Sequence, residues 1–138
     1  IEIRNRTVEK AGALAQFIEK KIPGARTSSG GLDDISSAAA DYEIIVNTTS
    51  QGMKGDPAQE AATPLDTKSI PEGAICTDAV YNPVDTTFLK GAKSRGARTV
   101  SGVGWFVNQG AAAWELWTGT KMPTDLIRNK VLEALGAV

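Results

Sequence analysis

Short β-branched runs alternate with stretches of helical period along the chain, and that alternation predicts a parallel α/β sheet with flanking helices. Residues 2–6 read as the first strand. Val8, Ala11, Leu14, Ala15, Ile18 and Ile22 then fall at helical spacing and mark one buried face of a helix over 8–21. Thr7 suits its N-cap, and Pro23-Gly24 ends it. A weak strand is predicted over 25–28, a loop over Ser28-Ser29-Gly30-Gly31, and a short helix over 32–40 with Asp33 and Asp34 in its first turn. The unbroken Ile44-Ile45-Val46 within 43–48 predicts a strand buried on both faces. Residues 51–71, rich in Gly, Pro, Ala and Asp, read mostly as loop. A second buried strand follows over 74–80, a helix over 86–95 stopped by Gly96, and a short strand over 97–101. Two helices close the chain, over 104–117 and 124–135, and the first is apolar on most sides, so it is expected to be buried.

Composition narrows the chemistry. The 138 residues suit a single domain. Fifteen Lys+Arg against sixteen Asp+Glu leave a net charge of −1, so no global basic field exists to gather nucleic acid or an anionic membrane. No histidine is present, which removes Ser-His-Asp and Cys-His chemistry and His-based metal sites. The lone Cys76 cannot form an internal disulfide and sits inside a predicted buried strand, where it reads as core. A reducing, cytoplasmic setting follows as the expectation. The two glycosylation-like triplets, Asn5-Arg6-Thr7 and Asn47-Thr48-Thr49, then read as coincidence. The run over 104–117 comes nearest to a membrane span, but it is short and interrupted by Asn108, Gln109 and Glu115. The chain opens on Ile1, already in strand pattern, and is expected to start partway into a larger protein.

Four segments carry candidate chemistry. In Asn5-Arg6-Thr7-Val8-Glu9-Lys10 a strand ends without a carboxylate, and Arg6 and Lys10 stand at the start of the next helix. The helix dipole disfavours cations there. An anion between them accounts for both, since helix N-termini bind phosphate. The alternative is a plain cap with two solvated basic side chains. In Val46-Asn47-Thr48-Thr49-Ser50-Gln51-Gly52-Met53-Lys54-Gly55 a buried strand runs out into a polar loop. Ligands bind in open α/β sheets at the carboxyl ends of strands, so these hydroxyls face a crevice and Met53 offers a soft contact to a flat ring; the alternative is a capped turn. In Thr77-Asp78-Ala79-Val80-Tyr81-Asn82-Pro83 a second strand ends at the same edge. Tyr81 can bond a substrate hydroxyl there. Asp78 is a general base by type, yet a buried Asp at a strand end more often binds loop amides. In the segment from Ser101 to Ala111, Gly102-Val103-Gly104 lets a ligand approach the backbone. Gln109 is an amide within an apolar helix and needs partners if buried, from a bound polyol or a neighbouring backbone.

Taken in order, these segments resemble the shikimate dehydrogenase family. The resemblance rests on Asn5-Arg6-Thr7 with Lys10, on Asn47 through Gly55, on Asp78-Ala79-Val80-Tyr81-Asn82-Pro83, and on Gly102 through Gly119. It implies a Rossmann-like domain that binds NADP and serves the reduction of 3-dehydroshikimate to shikimate. It implies cofactor contacts at Asn5, Arg6, Thr7, Lys10, Thr48, Thr49, Ser50, Met53, Ala79 and Gly102, and substrate contacts at Tyr81 and Gln109. Trp105 stands where many members carry Met, and Ala79 is smaller than the side chain some members use, two differences near the nicotinamide. The family's catalytic Lys and Asp belong to an N-terminal substrate domain absent from this chain, so no residue here is expected to be a catalytic acid or base. A homodimer of the full-length parent is left open. Rival readings are a quinate/shikimate dehydrogenase using NAD, the dehydrogenase half of a bifunctional dehydroquinate dehydratase, and a non-catalytic dinucleotide-binding module.

The family's Gly-rich loop and the strand before it are also missing. In the usual strand order 3-2-1-4-5-6 that strand lies mid-sheet, between the strands at 2–6 and 43–48. Its loss exposes backbone groups that must be paired. The chain is expected to be a fragment, marginal or aggregation-prone alone, unless 2–6 pairs directly with 43–48.

Overall fold

The computed structural model describes residues 1–33 and 35–137. The expectation placed on Asp34 lies outside the described residues. The elements run β1 (Glu2–Arg4), α1 (Val8–Lys21), β2 (Ser28–Gly30), α2 (Ile35–Ala39), β3 (Ile44–Asn47), α3 (Pro57–Ala61), a 3-10 turn (Thr67–Ser69), β4 (Ile75–Asp78), α4 (Thr87–Ser94), β5 (Arg98–Val100), α5 (Gly102–Thr118) and α6 (Thr124–Ala134). Alternating strands and helices with parallel pairing throughout make this an α/β fold, as the hydrophobic pattern predicts.

The strands form two sheets, not one. β1 pairs with β2 in parallel, with Glu2 opposite Ser28 and Arg4 opposite Gly30. β4 stands between β3 and β5, also parallel, which aligns Ile44, Ile75 and Arg98 in one row and Val46, Thr77 and Val100 in another. Direct pairing of 2–6 with 43–48 does not occur: β1 pairs with β2 and β3 with β4. Each strand already has its neighbour on one edge, and the other edges of β1 and β3 face a cleft.

The core lies on one face of the three-stranded sheet. Thr86 caps α4 by accepting from the Leu89 amide at 3.2 Å. The helix then buries Phe88, Leu89 and Ala92 against Leu65, Ile70, Ala74 and Cys76, with Ile35 and Ile45 packed at the margin. Burying one Phe or Leu contributes about 1.5–3 kcal/mol, so this cluster dominates the stability of the sheet. Cys76 is fully buried, as its strand position predicts, and burial pushes its thiol up to about 11.

The other face is open, which corrects two expectations. Ile44 and Val46 remain 60% and 47% exposed, so β3 is buried on one face only. Period-2 alternation turns them away from Ile45 and Asn47, to the side α4 does not cover. Helix α5 is not buried either. Gly102, Val103 and Val107 are covered, but Leu116 and Trp117 are 85% and 82% exposed. Its packing beyond the first turns is against α6.

Local chemistry shifts several boundaries. The region 51–71 contains two short helical pieces: Asp56 caps α3 through the Ala58 amide with Pro57 in its first turn, and Asp66 caps the 3-10 turn through the Lys68 amide. Thr7 holds the N-cap position of α1 without a side-chain cap bond; Asn5 Oδ1 instead accepts from the Thr7 amide at 2.8 Å. β2 forms over Ser28–Gly30, in the stretch that composition marks as loop. Among the described residues no helix is long and apolar enough to cross a membrane.

Two carboxyls clamp β2. Glu2 accepts from the Ser28 hydroxyl and pairs with Arg4, and Glu19 accepts from the Thr27 hydroxyl and amide. The Ser28 bond, helped by the Arg4 charge, holds Glu2 below the usual carboxylate range despite its partial desolvation, and the Thr27 bonds do the same for Glu19. A carboxyl whose folded value is depressed adds stability above its unfolded value of about 4.3, and that stability is lost as pH falls through the folded value. Acidification below about pH 4 should therefore loosen β1–β2 before β3–β5. Residue-resolved hydrogen exchange with the Glu2→Gln, Glu19→Gln double variant as reference checks this: the variant should lack the acid-dependent difference between the sheets.

Candidate functional site

The carboxyl ends of β3 and β4 are joined by a buried polar network. Asn47 is 2% exposed, and Asp78 and Thr86 are fully buried. One Asp78 carboxyl oxygen accepts from Asn47 Nδ2 at 3.0 Å and from the Val80 amide at 2.9 Å; the other accepts from Thr86 Oγ1 at 2.7 Å. Asp78 thus binds a loop amide, the role its strand-end position predicts. Asn47 turns its other atom outward: Oδ1 accepts from the Thr49 amide at 3.0 Å and from Thr49 Oγ1 at 2.8 Å, while Nδ2 also donates to the Gln51 carbonyl at 3.2 Å. One chain of bonds therefore runs from the cap of α4 through the ends of both strands into the 48–52 loop.

That loop is closed by backbone geometry. Gly52 has φ +93°, and a side chain there would press on Thr86, whose Cβ lies 3.1 Å from the position of an added Cβ. Its amide donates to the Gln59 carbonyl at 2.7 Å, and the Lys54 amide donates to the Asn82 carbonyl at 2.8 Å. The two strand-end loops then form the walls of a cleft of about 320 Å³. Thr49, Ser50, Met53, Ala79, Tyr81 and Asn82 line it.

The start of α5 sits against the same edge. A Cβ on Gly102 would lie 2.3 Å from the Val80 carbonyl oxygen, so only glycine lets α5 begin this close to the end of β4. Phe106 stacks on Tyr81 with ring centroids 4.3 Å apart. Gln109 follows Phe106 by one helical turn on the same face of α5, and it is exposed. Its amide therefore needs no protein partner and is open to a ligand.

The remaining sequence-predicted residues lie elsewhere. Asn5, Arg6, Thr7 and Lys10 cluster at the junction of β1 and α1, with Arg6 and Lys10 exposed. Two cations thus stand at the electropositive end of a 14-residue helix, an arrangement suited to an anion. Thr48 lies with Thr49 at the rim of the larger cleft between β1 and β3. The structure therefore gathers Thr49, Ser50, Met53, Ala79 and Tyr81 directly and brings Gly102 to the same strand edge. It leaves the Asn5–Lys10 cluster across the cleft. Asn47, Thr86 and Phe106 organise the site and are absent from the set predicted from sequence. The signal for Asn47 was an Asn ending a buried strand two residues before a Thr, the pattern of a side-chain-capped turn. Among the described residues no group of three or more acidic, His or Cys side chains could hold a metal ion.

Asp78→Ala should leave the Val80 amide and the Thr86 O–H donor buried without an acceptor, at a cost of about 1–3 kcal/mol for each. Urea unfolding should show a loss of at least about 2 kcal/mol, and Asp78→Asn, which keeps one acceptor, a smaller one.

A family model described as the shikimate 5'-dehydrogenase C-terminal domain matches residues 102–132, which hold most of α5 and α6. The NADP(+) shikimate dehydrogenase of Methanococcus aeolicus is 38% identical over 135 residues, 98% of this chain and 47% of that protein. A shikimate dehydrogenase solved in complex with NADP+ superposes with a TM-score of 0.83 at 34% identity, covering 98% of this chain and 46% of that one. The quinate dehydrogenase of Corynebacterium glutamicum, solved with NAD, gives 0.84 at 25% identity over 96% of this chain and 45% of that one. The chain spans about half the length of the relatives it matches. In sequence and in fold it belongs to the shikimate dehydrogenase family.

Proposed function

We propose that the chain is the NADP-binding part of a shikimate dehydrogenase that reduces 3-dehydroshikimate to shikimate. The observation that carries this reading is the convergence at one strand edge of Thr49, Ser50, Met53, Ala79 and Tyr81 around a cleft, with the glycine-limited start of α5 beside it. A flat ring fits between the Met53 and Ala79 walls, where the small Ala79 leaves room and Met53 adapts. Bound there, the cofactor supplies a hydride.

The chain's own groups bind and orient. Arg6 and Lys10 answer the 2'-phosphate, assisted by the first turn of α1, and Asn5 and Thr7 shape the turn that carries them. Thr48, Thr49 and Ser50 present hydroxyls along the ribose. Gly102 keeps the backbone low enough for close approach. Tyr81, held by Phe106, and Gln109 offer a hydroxyl and an amide to the hydroxyls of the substrate ring. Neither is a proton donor to the forming alkoxide in this reading. That proton comes from a Lys of the substrate domain, so the chain is inactive alone.

Quinate dehydrogenase is the second reading, favoured by the TM-score of 0.84 with an NAD complex. Cofactor choice separates the two at Arg6, because a residue that serves a 2'-phosphate has no such partner in NAD.

Calorimetry with 2',5'-ADP and with 5'-AMP tests the proposal. The 2'-phosphate should tighten binding by about 10- to 100-fold, the worth of charge-assisted hydrogen bonds. Arg6→Ala should erase that preference without changing 5'-AMP binding. A folded chain that prefers neither ligand overturns the roles given to Asn5, Arg6, Thr7 and Lys10.

A further inference from the structure

The cleft at the carboxyl ends of β3 and β4 has, among the described residues that line it, a single charged side chain, that of Lys54. The other lining side chains are hydroxyls, one amide and apolar groups.

The backbone fixes where that charge is rooted. The Lys54 amide donates to the Asn82 carbonyl at 2.8 Å, and the Met53 amide to the Ser50 carbonyl at 3.1 Å. Gly52, at φ +93°, turns the chain just before them. Lys54 is therefore tied to the loop after β4, next to Tyr81 and directly after Met53, yet it is exposed. Its flexible four-carbon stem lets the ammonium reach over the mouth of the cleft.

No carboxylate answers the charge. Among the described residues the Lys54 ammonium makes no ion pair or hydrogen bond. Asp56, two residues on, is taken up as the cap of α3, where it accepts from the Ala58 amide at 2.9 Å. Asp78, behind the cleft, is buried and already meets three donors. An ammonium so placed acts on any charge that enters the cleft, and near a protein surface it does so more strongly than in bulk water.

The ring read into this cleft differs in charge between its two states. The oxidised nicotinamide is a pyridinium cation, and the reduced one is a neutral dihydropyridine. The phosphates are common to both. Whatever Lys54 adds through the phosphates therefore cancels between the two forms, and its repulsion of the oxidised ring does not.

We propose that Lys54 biases this site toward the reduced cofactor and against the oxidised one. The inference rests on the reading of the cleft as the nicotinamide end of an NADP site. Once the hydride and its electron pair have passed to the ketone carbon, Lys54 faces a cation in place of a neutral ring. The spent form is then held less tightly than the fresh one, which favours its release. Linkage fixes the cost: the same repulsion makes hydride donation within the site less favourable by the same factor. Met53 and Lys54 thus divide the work at adjacent positions, an apolar contact from one and a charge from the other.

Calorimetric titration of the chain with NADPH and with NADP+ tests this. Lys54→Met keeps the reach of the side chain and removes its charge. It should raise the affinity for NADP+ relative to NADPH by about two- to tenfold. Lys54→Glu should move the ratio further in the same direction. Added salt should shrink the difference in ratio between the wild-type chain and Lys54→Met, because the ammonium is exposed. Equal weakening of both forms assigns Lys54 to the phosphates and overturns the inference. A ratio that neither variant moves overturns it too. Unchanged binding of 2',5'-ADP, which carries no nicotinamide, shows that Lys54→Met still folds. Loss of the 2',5'-ADP preference in the wild-type chain marks failure of the cofactor reading. An unmoved ratio with that preference intact marks failure of the role given to Lys54 alone.

Discussion

Everything at the candidate site hangs on the buried carboxyl of Asp78. It is fully enclosed and meets three donors, from Asn47, Val80 and Thr86. A buried polar group without partners costs more than a satisfied one returns, so the network forms as a unit or not at all. As a unit it fixes the ends of two neighbouring strands and the first turn of α4. Asn47 passes that order to the Thr49 hydroxyl and amide. The loop that lines the cleft is thus positioned by bonds that reach into the core, not by its own sequence.

The same molecule covers its larger sheet on one face only. Its core covers one face of β3-β4-β5, where Phe88, Ile70 and Cys76 meet. The opposite face leaves Ile44, Val46 and Val100 exposed in adjacent strands. Parallel sheets are ordinarily covered on both faces. The open face, the open strand edges and the exposed end of α5 leave apolar surface uncovered on the side away from α4. The site edge is nevertheless ordered, because its network lies on the covered side.

How far the sequence discloses this depends on the range of the forces involved. Alternation of β-branched and helical segments discloses β1, β3, β4, β5 and every long helix, since those signals are local, but not β2, whose Ser28-Ser29-Gly30 carries no β-branched residue and reads as loop. Cys76 as core follows from the residues beside it. The burial of α5 and of both faces of β3 does not follow, because apolar composition states what a segment would bury and not what is available to cover it. Leu116 and Trp117 read as core and stand in the open. The helical pieces at Pro57–Ala61 and Thr67–Ser69 are too short for periodicity, and only their Asp caps mark them. At the site, Thr49, Met53, Ala79 and Tyr81 are legible as strand-end residues. The Tyr81–Phe106 stack and the Asn47–Asp78 bond are long-range contacts that no local pattern encodes.

The central claim is that two groups of residues on opposite sides of an open cleft, Asn5 through Lys10 and Thr48 through Met53, belong to one cofactor site. An amide-shift titration of the labelled chain with NADPH addresses it directly. The account predicts that Arg6, Lys10, Thr49, Ser50, Ala79 and Gly102 shift together with a single saturation curve. Shifts confined to one side of the cleft, or two curves with different midpoints, would contradict it.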